Sequence, residues 1–247
     1  MHDLATRRSA AAMRAEGRSW SQISRLLGVS RSTLRAWEAR GPVARASDCA
    51  CCDDVALDQS SYAALLGFYL GDGCISRHAR YYALRVSCDA SLPAIIADVS
   101  ACMSAVRPAA RIFHVPAPGA VVVSSNWQHW PCLFPQHGPG RKHERTIVLE
   151  DWQRAVVETR PGPFLRGLFH SDGCRARNWT RRRVAGEWKR YDHPRWQFTN
   201  VSADIRELCC WALDLAEVRW RQSSWNCVSV SRRADVARLD ALIGMKQ

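Results

Sequence analysis

The spacing of apolar and polar positions predicts two kinds of territory in this chain. Residues 4–16 carry a helical spacing that stops at Gly17. The stretch SWSQISRLLG, residues 19–28, gives a second helix closed by Gly28, and Ser30 is placed to N-cap a third over residues 31–40. On these helices Ile23, Leu27, Val29, Leu34 and Trp37 fall where they can share one small core. From residue 59 the pattern changes. LLGFYLGDGC, residues 65–74, reads as a helix apolar all round that breaks at Asp-Gly. A hundred residues later LRGLFHSDGC, residues 165–174, repeats its Leu, Gly, Asp, Gly and Cys at the same places. Behind each helix the period falls to two. Leu84, Val86 and Cys88 oppose Arg85 and Ser87, and Trp196, Phe198 and Asn200 oppose Arg195, Gln197 and Thr199. Strands are thus predicted at 81–89 and 119–125 around a helix at 91–105, and at 194–202 and 226–231 around a helix at 203–216.

Each copy therefore reads helix, two strands, helix, two strands, helix. This implies antiparallel sheets with helices on one face and a polar, Arg-bearing face left open. The expected class is α+β, a duplicated αββαββα preceded by a small all-α unit. The first forty residues resemble a helix-turn-helix, with Arg31, Ser32, Thr33 and Arg35 on the exposed side of its recognition helix. The boundaries read as 1–45 for that unit, 46–58 for a Cys-rich linker, and 59–150 and 151–247 for the two repeats.

Charge narrows the partner. The net charge is +12, with nine Arg against four Asp/Glu in residues 1–48 and eight Arg/Lys against two acids in residues 175–195. A surplus of this kind suits a polyanion, double-stranded DNA first. Trp179, Trp188 and Trp196 lie among Arg181, Arg182, Arg183, Lys189, Arg190 and Arg195, an interleaving that can grip phosphates or stack on bases, and half of these tryptophans are expected in the core. No apolar run is long enough to span a membrane and no signal sequence opens the chain, so a soluble cytoplasmic protein is expected. Eleven cysteines read mostly as small buried hydrophobes. Cys49-x-x-Cys52 is half of a zinc site, for which no second CxxC or HxxxH pair follows.

The chemistry concentrates at the two matching helices. Gly67 and Gly71 share one helix face, as do Gly167 and Ser171, so two such helices can approach closely. Their C-terminal ends would then bring Asp72 and Asp172 together where both helix dipoles are negative, and such a pair demands a cation. Mg²⁺ is the natural occupant, and beneath basic sheets it is arranged for phosphodiester cleavage. The chain has only three lysines, at 142, 189 and 246. Lys142 and Lys246 follow the last strand and a helical stretch in the two copies, which points to a need for a compact charge at matching places.

These helices resemble the paired signature helices of the LAGLIDADG homing endonucleases in their single-chain, two-copy form, over roughly residues 59–247. The resemblance implies a pseudo-twofold monomer whose saddle of two sheets straddles DNA, with Asp72 and Asp172 as metal-binding acids and Lys142 and Lys246 as active-site lysines. Arg85, Gln197 and the arginines of 181–195 would then contact DNA. The signature's earlier acidic position is Leu70 in one copy and His170 in the other; His170 reads as a helix-interface residue. His143, beside Lys142, is a candidate to act on a water or leaving group. The chain lacks the terminal His-Asn of a self-splicing element and reads as freestanding. The alternative is a regulator of transcription on the same fold that binds DNA without cutting it.

Overall fold

The computed structural model describes residues 4–39, 48–53 and 55–246, and the chain divides into two compact units, Met1–Val55 and Ala56–Gln247. In the first unit α1 (Leu4–Ala15), α2 (Trp20–Leu27) and α3 (Arg31–Ala39) follow the predicted spacing. Ser19 and Gln22 cap α2 reciprocally, and Gly28 ends it in the left-handed region at φ 64°. Ser30 accepts the Thr33 N–H at the start of α3. Ala10, Ile23, Val29 and Leu34 are the buried centre, with Met13, Trp20, Leu27 and Trp37 packed around them. Residues 40–47 of the expected linker lie outside the described residues. Its part Ala50–Asp53 is not extended chain but a short helix, α4.

The second unit holds the duplication. Copy one runs α5 (Gln59–Leu70), β1 (Gly73–Arg77), β2 (Tyr82–Asp89), α6 (Pro93–Val106), β3 (Ile112–Ala117), β4 (Ala120–Trp127) and α7 (Trp130–Leu133). After a 3₁₀ turn at Lys142–Glu144 comes α8 (Asp151–Thr159), and copy two runs α9 (Pro161–Asp172), β5 (Gly173–Val184), β6 (Glu187–Thr199), α10 (Ala203–Leu215), β7 (Arg221–Ser224), β8 (Cys227–Val230) and α11 (Arg233–Ile243). The two sheets have the same antiparallel topology, β1-β2-β4-β3 and β5-β6-β8-β7. Their registers correspond at the signature too, since Gly73 pairs with Val86 and Gly173 with Phe198. The architecture is the duplicated αββαββα behind a small all-α unit.

Burial explains the odd composition of α5. Every residue from Tyr62 to Leu70 is buried, so this helix has no polar face to present. It packs against α9 and α6, with α9 also meeting α10 and α11. The inner sheet faces supply Leu84, Val86 and Val123 in copy one and Trp196, Phe198 and Val230 in copy two. Arg175 grips Asp240 of α11 at 2.8 and 2.7 Å, and the Trp196 indole donates to the same carboxylate at 2.7 Å, which fastens α11 to the second sheet.

One element is longer than the sequence pattern predicts. The Trp- and Arg-rich stretch expected as a loop after the second signature helix is a hairpin, β5 pairing β6 from Gly173↔Phe198 out to Val184↔Glu187. Its turn residues Ala185 and Gly186 both have positive φ, 53° and 87°, the type I′ geometry that matches the twist of paired strands. Alternation then separates the basic residues. Arg182, Lys189 and Arg195 share a face with Gln197, whereas Arg181, Arg183 and Arg190 share the face of Trp179, Trp188 and Trp196. Trp196 is fully buried, Trp179 and Trp188 are exposed, and the Arg181 and Arg190 guanidinium groups lie 5.5 and 5.1 Å from the centre of the Trp179 ring.

Candidate functional site

Two glycines set the site. A Cβ on Gly67 would lie 2.9 Å from the Gly167 Cα and 2.4 Å from the Phe164 carbonyl, and one on Gly167 would lie 2.1 Å from the Ala64 carbonyl. The backbones of α5 and α9 therefore touch at this crossing. One turn on, Gly71 faces Ser171, whose Cβ a methyl at Gly71 would meet at 2.3 Å. The same position lies 3.4 Å from the Asp172 Oδ2, so the carboxylate of copy two sits beside the end of the copy-one helix.

The two acids feel each other and their burial. Burial and then repulsion from Asp72 push the Asp172 carboxyl up to about 6, against the pull of Asn200, Lys142 and Lys246. Burial also raises Asp72, opposed by the same two lysines. The Asn200 amide donates to Asp172 Oδ2 at 2.7 Å. By register the copy-one counterpart of Asn200 is Cys88, whose thiol is raised by burial and by Asp72. Carboxylates whose ionisation is resisted in this way are donors that a divalent cation would relieve, and Mg²⁺ needs only one or two of them, filling its other positions with water and phosphate oxygens. The acid pair fits that ion.

Lys142 and Lys246 reach the same helix ends. Lys142 Nζ donates to the carbonyls of Tyr69 at 2.6 Å, Leu70 at 2.8 Å and Gly73 at 2.9 Å, and to that of Gly71. Lys246 Nζ donates to Ser171 and Gly173 carbonyls, both at 2.9 Å. Each cation thus satisfies orphan carbonyls at the negative end of its helix. Burial lowers Lys142 to about 8, with both aspartates opposing, and lowers Lys246 likewise.

The cavities at these groups are composite. The larger, about 490 Å³, is lined by Asp172, Asn200 and Lys142 together with His137, Arg141, His143 and Arg145. The smaller, about 190 Å³, is lined by Asp72, Cys88, His170 and Lys246. Each cavity joins the acid of one copy to the lysine of the other. His143 is half-exposed, 3.8 Å from Glu144; the His170 ring lies 6.4 Å from Phe68 across the helix pair. Asn200 and Arg145 escaped the sequence reading, because nothing in the pattern marks an Asn that ends a strand or an Arg in an irregular segment as site residues.

Of the residues expected at nucleic acid, Arg85 is exposed on β2 opposite Cys74 and Ser124, and Gln197 lies opposite Cys174 and Ser229. In the first unit Arg31, Ser32 and Arg35 are exposed and Thr33 is half-buried. Ser32 and Thr33 hydroxyls lie 3.0 and 2.8 Å from Ser30 Oγ, inside the cap of α3. Among the described residues, one group of three or more Cys, His or acidic side chains could hold a metal ion: Cys49, Cys52, His129 and Cys132. No helix of the described residues is long and apolar enough to cross a membrane.

The acid pair makes stability depend on pH. With the folded Asp172 at about 6 and an unfolded carboxyl near 3.8, the folded state holds its proton longer. Stability of the metal-free protein is therefore expected to fall as pH rises from about 4 to 6 and then to level. Thermal melts across that range test it; added Mg²⁺ should raise the melting temperature above pH 6 and not below pH 4.

The Homeodomain-like domain family matches residues 1–43. No curated protein matches the chain by sequence. Among solved structures, the chain is similar to the homing endonuclease I-DmoI in complex with DNA and Mn, with a TM-score of 0.48, 11% identity, and 76% of this chain and 99% of that one covered. It is similar to the LAGLIDADG meganuclease I-AabMI bound to uncleaved DNA, with a TM-score of 0.46, 12% identity, and 73% and 82% covered. It is also similar to the N-terminal LAGLIDADG domain of DUF199/WhiA, with a TM-score of 0.46, 13% identity, and 81% and 89% covered.

Proposed function

We propose that the duplicated unit is a Mg²⁺-dependent, site-specific DNA endonuclease, and that the observation carrying this reading is the buried Asp72–Asp172 pair at the crossing of α5 and α9. The two carboxylates would hold the metal. When bound, it supplies Lewis acidity at a phosphate oxygen and a water of lowered pKa. Asn200, through its bond to Asp172 Oδ2, orients that carboxylate and keeps it ionised. Lys142 and Lys246 hold positive charge at the helix ends, where a phosphate would carry its developing negative charge. Arg85 and Gln197, with Arg182, Lys189 and Arg195 on the Gln197 face, would position the duplex. Arg181, Arg183 and Arg190 lie on the opposite face of the β5–β6 hairpin, which suits flanking phosphates better than the same base edges.

Buried carboxylates that repel each other cost stability, and a protein that only binds DNA gains nothing from them. That is the argument for cleavage over simple binding. The test is exposure of the full chain to a large random-sequence duplex library with Mg²⁺ or Ca²⁺, sequencing both the retained DNA and new ends. New ends at one long site that require Mg²⁺ support the nuclease. Tight retention of one intact site under both metals overturns it. The match of residues 1–43 to the Homeodomain-like domain family favours a second reading under that outcome, a non-cleaving regulator of transcription that uses both units to bind DNA.

A further inference from the structure

We propose that Cys49, Cys52, His129 and Cys132 together hold one structural zinc ion. Zinc takes four Cys or His ligands in tetrahedral sites, and its ligands come in pairs two residues apart, because such a pair can point both donors at one centre. The sequence offers Cys49-x-x-Cys52 and His129-x-x-Cys132. The second is neither CxxC nor HxxxH, so a search for those two spellings passes over it.

Both pairs are built on the same local frame, each within its own unit. In the first, the Cys52 N–H donates to the Cys49 carbonyl at 3.0 Å, where the chain enters α4. In the second, the Cys132 N–H donates to the His129 carbonyl at 3.0 Å, where the chain enters α7. This turn, closed from the second donor residue back to the first, carries both side chains of a pair to one side. Within the second pair the His129 Nδ1 lies 3.7 Å from the Cys132 Sγ. Zn–S and Zn–N bonds of about 2.3 and 2.0 Å at a tetrahedral angle place those atoms about 3.5 Å apart, so the pair already has the bite of a zinc chelate.

The donor set fixes the class of ion. Three thiols and an imidazole are soft and borderline ligands that select zinc and reject Mg²⁺, which requires oxygen donors. The set is distinct from Asp72 and Asp172, and the inference does not rest on the endonuclease reading. Four protein ligands close the coordination sphere and leave no position for water or substrate, so the ion stabilises structure and takes no part in a reaction. Binding would convert three thiols to thiolates and release their protons to solvent. Cys51, exposed between the paired cysteines, lies outside the donor group.

The test is the metal content of the full-length protein purified under reducing conditions without chelator, together with the visible spectrum after exchange into Co²⁺. One zinc per chain is expected, with the intense ligand-field bands of tetrahedral, thiolate-bound cobalt. Cys132→Ser and His129→Ala should each lose the zinc, and Cys51→Ser should keep it. A metal-free protein, a weak octahedral cobalt spectrum, or a Cys49–Cys52 disulfide in the native protein would each overturn the proposal. Because the cobalt spectrum is read on the unaltered chain, a variant that fails to fold leaves the test standing.

Discussion

Asp72→Asn is expected to lower the rate of DNA cleavage by about a thousandfold or more while leaving affinity for the target within a few-fold. The carboxamide keeps the shape of the side chain and removes one of the two negative charges that would hold Mg²⁺, and loss of one such electrostatic group costs on the order of 10²–10³ or more in rate. Affinity should survive because binding rests on arginines and polar groups of the sheet faces, and those stay in place. A second consequence separates this reading from a structural role. Repulsion from Asp72 is one of the two groups of causes that raise Asp172, so the variant should ionise Asp172 at lower pH and be more stable than the parent at pH 7 in the absence of metal. Single-turnover cleavage, binding in Ca²⁺ and a thermal melt of the same preparation measure all three quantities. Cleavage at the parental rate would remove Asp72 from the chemistry. Lost cleavage together with lost stability would make it a structural helix end.

The central helices were legible because their demands are extreme. A helix buried on every side must be apolar all round, and two backbones in contact must carry glycine where they touch, so Leu65, Gly67, Leu165 and Gly167 announce the pair in the sequence alone. Lys142 and Lys246 stood out for a different reason: in a chain that otherwise uses Arg, a buried ammonium bonded to several carbonyls at once calls for a compact, tetrahedral donor. The β5–β6 hairpin left little trace. Beyond Ala176 both faces of the ribbon are largely exposed, so no alternation of apolar and polar residues is imposed, and its Ala-Gly turn lacks the Asn or Asp that usually marks the type I′ geometry. Asn200 was visible only as a strand residue. Its bond to Asp172 depends on how the end of β6 lies against the end of α9, and that is a property of the assembled sheet and helix.

Gly167→Ala is expected to be the most damaging single-methyl change in the second unit. In an exposed helix the same change would stabilise by about 1 kcal/mol, because alanine loses less backbone entropy. Here the added Cβ would stand 2.1 Å from the Ala64 carbonyl oxygen, 2.6 Å from the Phe68 nitrogen and 2.8 Å from the Gly67 Cα. All three are backbone atoms, and no rotamer change moves them. Relief requires α5 and α9 to separate, with loss of packing along the crossing, for a cost on the order of 3 kcal/mol or more. That corresponds to a fall of about 6–12 °C in melting temperature for a unit of this size. Gly71→Ala provides the contrast. Its obstacles are the Ser171 Cβ at 2.3 Å and Oγ at 2.8 Å, which belong to a side chain, so Ser171→Gly should restore most of what Gly71→Ala loses, a coupling that a double-mutant cycle reads directly. No side-chain deletion on α5 should restore Gly167→Ala in the same way. Because the crossing also sets the separation of Asp72 and Asp172, any Gly167→Ala protein that still folds should bind Mg²⁺ more weakly than the parent. Unchanged melting and unchanged metal binding in that variant would mean that the helices do not meet backbone to backbone, and the carboxylate pair would lose the feature that holds it together.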